Sequence, residues 1–131
     1  MLDKVKISID VMGGDNSPDK TLEGLNLFIK RNQNISDYIF YLFGDEIIIN
    51  QKLGNYKYLK NNYKIFDTKI VVSNELSAMS SIKKGKNSSM WKAIQSQIDL
   101  SADVTLSAGN TGVLLVMSKM IFQHSMNNQS Y

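Results

Sequence analysis

Glycines, acids, amides and hydroxyls cluster at two places where an apolar segment gives way to a predicted helix. The first place is "ISIDVMGGDNSP" at residues 7–18, and the second is "SAGNTG" at residues 107–112. Glycine lets backbone N–H groups approach a ligand closely, and a helix N-terminus favours negative charge. The second segment therefore has the features of a phosphate-binding turn, and the first leaves open what it would hold.

The first segment holds the candidate residues Asp10, Gly13, Gly14, Asp15 and Asn16. The two acids have the chemistry of a general base or of a group that orients a substrate, and an acid at a strand end equally often caps the following turn. The glycine spacing does not match G-x-G-x-x-G, and the chain contains no G-x-x-x-x-G-K-[ST]. Because those spacings are what nucleotide loops need, the segment does not indicate a nucleotide site.

The second segment holds the candidate residues Ser107, Gly109, Asn110, Thr111 and Gly112. The amide and the threonine hydroxyl would add side-chain donors to the backbone N–H groups of a phosphate-binding turn. A glycine-rich turn between a strand and a helix also occurs simply to close the turn. Taken alone, this segment leaves both roles open.

Ser88 and Ser89 stand at the start of a third predicted helix, in "KKGKNSSM", close to Lys83, Lys84 and Lys86. Here too two interpretations are open. The serines would bind a phosphate or an acidic carrier beside the lysines, or they would cap the helix next to a solvated basic turn.

Composition excludes several classes of function. The 131 residues are 43% hydrophobic with a formal charge of +3, which is typical of one folded domain, and the absence of cysteine excludes disulfides, thiolate metal sites and a cysteine nucleophile. Scattered lysines do not favour nucleic-acid binding, and His124, the single histidine, has no recognisable triad partners. No apolar run approaches the ~20 residues of a membrane span, and the N-terminus lacks a signal-peptide pattern, so we expect a cytoplasmic protein.

Hydrophobic periodicity predicts four strands that alternate with four helices. A helix with Ser17 as N-cap and Pro18 at its first position should follow strand one and end near Arg31. The stretch 54–67 is polar and is predicted to lie on the surface without an assigned element. The predicted strands are 5–11, 37–45, 69–73 and 103–109, and the other predicted helices are 46–53, 90–98 (capped by Asn87 or Ser88) and 113–122.

This alternation predicts an α/β protein, a three-layer α/β/α sandwich with a mostly parallel sheet and right-handed crossovers. Sheets of this class bind ligands beyond the carboxyl ends of their strands. The glycine-rich segments follow strands one and four, so we expect them to meet at that edge of the sheet.

Four segments together resemble the N-terminal part of the bacterial phosphate acyltransferases of phospholipid synthesis. They are "IDVMGGDNSP", "GD" after the second strand, "KKGKNSSM" and "ADVTLSAGNTG", in this order and spacing. The family's "MGGD" matches residues 12–15, its "SSM" residues 88–90 and its "SAGNTG" residues 107–112. The resemblance implies a Rossmann-like fold related to phosphate acetyltransferases.

The resemblance also implies a reaction: phosphate attacks the thioester of a fatty acyl group on acyl carrier protein and yields acyl phosphate, with no cofactor and no metal. It implies a homodimer in full-length members, a link to a membrane glycerol-3-phosphate acyltransferase, and peripheral association with the membrane. The implied substrate-binding residues are Asp10, Gly13, Gly14, Asp15, Asn16, Ser88, Ser89, Ser107, Gly109, Asn110, Thr111 and Gly112.

Residues 1–131 are expected to form one α/β domain, the N-terminal part of a longer family domain, with an atypical polar tail at 122–131 that suggests a truncated or frameshifted product. Two hypotheses from different classes follow. The chain is either a phosphate acyltransferase or an inactive remnant that at most binds anions or a partner. A generic anion-binding α/β module is a third hypothesis, but it does not account for four matching segments.

Overall fold

The chain folds into a parallel β-sheet flanked by helices, as described by a computed structural model for residues 3–32, 35–72 and 85–128. These ranges contain four strands, β1 Val5–Asp10, β2 Tyr38–Gly44, β3 Tyr63–Asp67 and β4 Val104–Ser107. They also contain the helices α1 Asp19–Arg31, α2 Glu46–Leu53, α3 Ser89–Asp99 and α4 Thr111–Asn128, and a 3₁₀ turn at Ile35–Asp37. The predicted α/β class is confirmed.

The strands lie in the order β3-β2-β1-β4, and every neighbouring pair is parallel. The most buried strands, β1 and β2, occupy the centre, as expected for apolar runs that are covered on both faces. The register pairs Asp10 with Phe43 on one side and with Ser107 on the other. The carboxyl ends of β1, β2 and β4 are therefore level, and the segments that follow them start at the same edge.

Alternation along β1 assigns the two faces of the sheet. Ile9 packs with Leu22 and Leu25 of α1, and Ile49 of α2 belongs to the same buried cluster. Ser8, the residue before Ile9, points to the opposite face of the sheet. Its hydroxyl lies 2.5 Å from the hydroxyl of Ser96 on α3. Because successive side chains of a strand point to opposite faces, α1 and α3 cover different sides of the sheet.

A second apolar cluster joins α3 to α4. Met90 and Ile94 of α3 pack against Val113, Met117 and Ile121 of α4, and all five are buried. The helical spacing of Met90 and Ile94 predicts α3 from the sequence, whereas α4 is predicted because the run after Gly112 is apolar. This cluster holds the start of α4 beside the start of α3, next to the carboxyl end of β1.

The predicted N-cap of α1 is wrong. The helix begins at Asp19, Pro18 occupies the cap position, and no side chain caps the helix. The Ser17 hydroxyl donates instead to the carbonyl of Gly13 at 2.5 Å. The serine therefore stabilises the loop before the helix and not the first turn of the helix.

The predicted third strand is also misplaced. The strand is Tyr63–Asp67, inside the polar stretch that the sequence left without an element, and it pairs with β2. Residues 69–72 hold only an isolated bridge from Ile70 to Ser88, and residue 73 lies outside the described ranges. An edge strand buries little apolar surface. The apolar alternation of β3 is therefore weaker than the apolar pattern of residues 69–73, which the sequence analysis took for the strand.

The remaining predicted elements are confirmed within a few residues. The sequence predicts α1 to end near Arg31, α2 to span 46–53 and α3 to follow Ser88, and the structure agrees. The last helix is longer than predicted, because α4 continues from residue 122 to Asn128. In the described part of the chain no helix is both long and apolar enough to cross a membrane.

Candidate functional site

The segments after β1 and β4 pack against each other at the carboxyl edge of the sheet. A Cβ atom built on Gly13 would lie 3.2 Å from the Cα of Gly109, and one built on Gly14 would lie 2.7 Å from the carbonyl oxygen of Ala108. Gly14 also has a φ of +97°, which side-chain-bearing residues rarely adopt. The two loops approach this closely only because both positions are glycine.

Asp10 lies at the end of β1, below the contact between these loops, and is 1% exposed. One of its carboxylate oxygens, Oδ1, accepts from the Gly13 N–H at 3.1 Å and from the Ser89 hydroxyl at 2.5 Å. The other, Oδ2, accepts from the Ser107 hydroxyl at 2.7 Å. Burial raises the pKa of Asp10, whereas these hydrogen bonds act in the opposite direction because they favour the ionised form.

Ser107 connects the carboxylate to the loop after β4. Its hydroxyl donates to Asp10 and accepts from the N–H of Gly109 at 3.1 Å. The Gly109 N–H is thus used within the loop. The orientation of this loop depends on a chain of two hydrogen bonds that starts at a buried carboxylate.

Helix α4 begins directly after this loop. The Asn110 side chain accepts from the N–H of Val113 at 3.1 Å, as an N-cap residue does. Helix geometry leaves the N–H groups of Thr111 and Gly112 without an intrahelical acceptor. These two donors and the positive end of the helix dipole would favour an anion at this position.

The two serines at the start of α3 serve the chain's own hydrogen bonds. Ser88 is fully buried, accepts from the N–H of Trp91 and donates to the carbonyl of Gly85. It is therefore the cap that the sequence predicts. Ser89 is 1% exposed and donates to Asp10. The Ser89 hydroxyl thus reaches the residue that holds the glycine loops, and a direct contact of either serine with substrate stays a prediction.

The other predicted site residues surround this centre. Asp15 and Asn16 are exposed in the loop after β1, where Asn16 has a φ of 60°. Thr111 and Gly112 are exposed at the start of α4. Lys86 is exposed in the turn before α3, and Lys83 and Lys84 lie outside the described ranges. The structure thus brings all twelve predicted site residues to one edge of the sheet.

An open apolar groove of about 550 Å³ leads away from this edge along the α1 side of the sheet. Its apolar lining comes from β1, β2, β4 and α1, namely Ile7, Ile9, Leu25, Phe28, Phe40 and Leu106. Asp10, Asp15, Ser17, Ser107 and Ala108 line it where it meets the glycine loops. The volume lies within the range of small-molecule sites.

The sequence analysis missed this groove and the residues of α1 that line it. Gly24 is the one signal that points to it, because a glycine inside a helical pattern costs stability and often has a packing or functional reason. A Cβ on Gly24 would meet no atom within 4 Å. This position therefore lies beside open space at the groove and not in a crowded contact.

Metal binding finds no support in the described part of the chain, where no group of three or more His, Asp or Glu residues lies close enough to hold a metal ion. The donors at the site are N–H groups and hydroxyls.

Comparison with known proteins yields matches over nearly the whole chain. The family model described as "Fatty acid synthesis protein" matches residues 5–127. The phosphate acyltransferase of Pelagibacter ubique is 42% identical over 118 residues, which cover 88% of this chain and 33% of that protein. The phosphate acyltransferase of Azorhizobium caulinodans is 38% identical over 117 residues, covering 88% and 32%. The chain thus spans about a third of the length of these curated relatives.

Proposed function

The chain belongs to the fatty acid synthesis protein family, and from this membership we propose that it takes part in transfer of a fatty acyl group to inorganic phosphate. The observation that carries the proposal is the contact between the loops after β1 and β4, which places Gly13 and Gly14 against Ala108 and Gly109 beside the start of α4. Relatives at 36–42% identity bear the name phosphate acyltransferase.

The proposed reaction needs little from acid–base groups. A phosphate oxygen attacks the carbonyl carbon of the thioester, the C–S bond breaks, and the carrier leaves as a thiolate that takes up a proton from solvent. Phosphate is already an anionic nucleophile at neutral pH, because its second pKa is about 6–7 by analogy with phosphoryl groups. The protein contributes by positioning phosphate and by stabilising the developing oxyanion with N–H donors.

The first turn of α4 suits the phosphate. The N–H groups of Thr111 and Gly112 lack intrahelical acceptors, and the glycine before the helix allows an anion to approach the backbone. Phosphate held there would itself attack the thioester, so neither a cysteine nor a catalytic triad is needed.

The apolar groove suits the acyl chain. It begins beside the glycine loops and is lined by apolar side chains of β1, β4 and α1. A fatty acyl chain is apolar over its whole length, and burial of each CH₂ contributes about 0.8 kcal/mol. An acyl chain lying in this groove would bring its thioester to the phosphate.

The remaining parts of the proposal concern the partners. The acyl donor is acyl carrier protein, and the exposed Lys86 beside the site would attract an acidic carrier. We propose further that full-length family members form homodimers and pass acyl phosphate to a membrane glycerol-3-phosphate acyltransferase. We place this step in the cytoplasm, with peripheral contact to the membrane.

The reaction can be tested directly on this chain. We expect acyl carrier protein loaded with a C16 acyl group, together with phosphate, to give acyl phosphate that hydroxylamine traps as the hydroxamate. Omitting phosphate is the control. A folded chain that binds phosphate yet yields no hydroxamate would contradict transfer by this chain and support a non-catalytic, anion-binding role.

Gly24→Leu should weaken the use of long acyl chains. The new side chain would enter the groove, while replacement of a helical glycine by leucine favours the helix. We expect the apparent KM for a C16 acyl donor to rise about tenfold, as the loss of about two buried CH₂ groups would produce, and that for a C4 donor to stay unchanged.

Gly54→Leu is the matched control, since a Cβ on Gly54 also meets no atom within 4 Å and this residue ends α2 away from the groove. Equal effects of the two substitutions on the C16 donor would show that the acyl chain lies elsewhere.

A further inference from the structure

Asp10 is a buried carboxylate that accepts hydrogen bonds from three separate segments of the chain. Its Oδ1 accepts from Gly13 and Ser89, its Oδ2 accepts from Ser107, and the side chain is 1% exposed. Asp10 lines the end of the apolar groove, but a carboxylate offers a phosphate no hydrogen-bond donor, and both of its oxygens already accept from the chain.

The three donors belong to three different parts of the site. Gly13 lies in the loop after β1, Ser89 is the first residue of α3, and Ser107 is the last residue of β4. Ser107 extends the connection by accepting from the N–H of Gly109. One carboxylate thus joins every segment that the sequence predicts to bind substrate.

We propose that Asp10 is a positioning residue, which holds the glycine loops and the start of α4 in the arrangement that binds phosphate without touching phosphate itself. This inference rests on the proposed function for the identity of the ligand. It assigns to Asp10 a role that differs from that of the exposed residues at the start of α4.

The carboxylate is suited to this role because it only accepts hydrogen bonds, and all three neighbours donate. An asparagine of nearly the same size would turn an NH₂ group towards Ser107 or towards Ser89 and Gly13. Facing Ser107, this group would make the Ser107 hydroxyl accept a second bond and stop donating to residue 10. Facing Ser89 and Gly13, it would oppose the Gly13 N–H donor. Asp10→Asn therefore disturbs orientation with little change in volume.

The same strand and helix provide a matched control. Ser8, two residues before Asp10 on the same face of β1, pairs with Ser96 of α3, and both serines are buried. Ser96→Ala removes a buried polar contact between β1 and α3, as Asp10→Asn does, but away from the glycine loops. Its effect measures what a purely structural role would produce.

The experiment compares the unaltered chain with Asp10→Asn, Ser107→Ala, Ser107→Thr and Ser96→Ala. Titration with inorganic phosphate should show a dissociation constant about 10- to 100-fold higher for Asp10→Asn and Ser107→Ala, the usual loss when a group that orients a ligand-binding residue is removed. Ser107→Thr keeps the hydroxyl and should restore binding. Ser96→Ala should lower the thermal midpoint and leave phosphate binding unchanged.

Amide hydrogen exchange gives a second readout that needs no ligand. Exchange at Gly13 and Gly109 should be about tenfold faster or more in Asp10→Asn, and unchanged at these residues in Ser96→Ala, since hydrogen-bonded amides exchange only on local opening. Unchanged exchange at both glycines in Asp10→Asn would overturn the positioning role. An unaltered chain that binds no phosphate would instead contradict the proposed function, and the exchange comparison would still decide whether Asp10 orders the loops.

Discussion

Gly14→Ala should lower the free energy of unfolding by about 2–6 kcal/mol, because two separate costs add at this position. A φ of +97° is strained for any residue with a Cβ, which costs about 1–3 kcal/mol. The new methyl would also lie 2.7 Å from the carbonyl oxygen of Ala108, a backbone atom that cannot rotate away. Overpacking of this kind costs about 1–3 kcal/mol.

Urea denaturation of Gly14→Ala, of Gly24→Ala and of the unaltered chain tests this prediction. A Cβ on Gly24 meets no atom within 4 Å in the middle of α1, so alanine there should stabilise the chain by about 0.8–1.0 kcal/mol. The two substitutions are chemically identical and should act in opposite directions. Equal midpoints and slopes for Gly14→Ala and the unaltered chain would show that the loops after β1 and β4 do not pack as described.

The sequence predicts best those elements in which the buried residues recur at the period of a strand or a helix. β1 alternates because Ile9 packs in the cluster with α1, whereas Ser8 and Asp10 on the opposite face bond hydroxyls of α3. Helix α3 shows a helical period because Met90 and Ile94 meet α4. β3 escaped prediction because it lies at the edge of the sheet, where Lys64 is exposed and polar residues precede the strand. The apolar residues Ile70 and Val71 suggested a strand, yet both are largely exposed.

At the site, local features can be predicted from the sequence, whereas contacts between distant segments cannot. Glycine-rich turns after strands can be recognised in sequence, and parallel pairing brings their ends to one edge. The partners of each hydroxyl cannot be recognised, because they depend on the register of Asp10 with Ser107 and on how α3 packs. Ser88 and Ser89 therefore satisfied the sequence pattern of a phosphate contact while serving as a cap and as a donor to Asp10.

Gly109→Val should abolish saturation by phosphate over the range in which the unaltered chain saturates. A Cβ at this position would lie 2.7 Å from the terminal methyl of Met90 and 3.3 Å from the Ser107 hydroxyl. The methionine can move, so the fold should survive, but the branched side chain would displace the loop that precedes α4. A displacement of about 1 Å at a positioned group can cost about 100-fold in rate. We therefore also expect the rate of acyl phosphate formation to fall by about 100-fold.

Gly54→Val is the control for this substitution. It inserts the same side chain where a Cβ meets no atom within 4 Å, at the end of α2. Phosphate titration and the hydroxamate assay, both run at a temperature where circular dichroism shows each variant folded, should separate the two. If Gly109→Val binds phosphate as the unaltered chain does, the anion lies away from the loop after β4, and the first turn of α4 loses its proposed role.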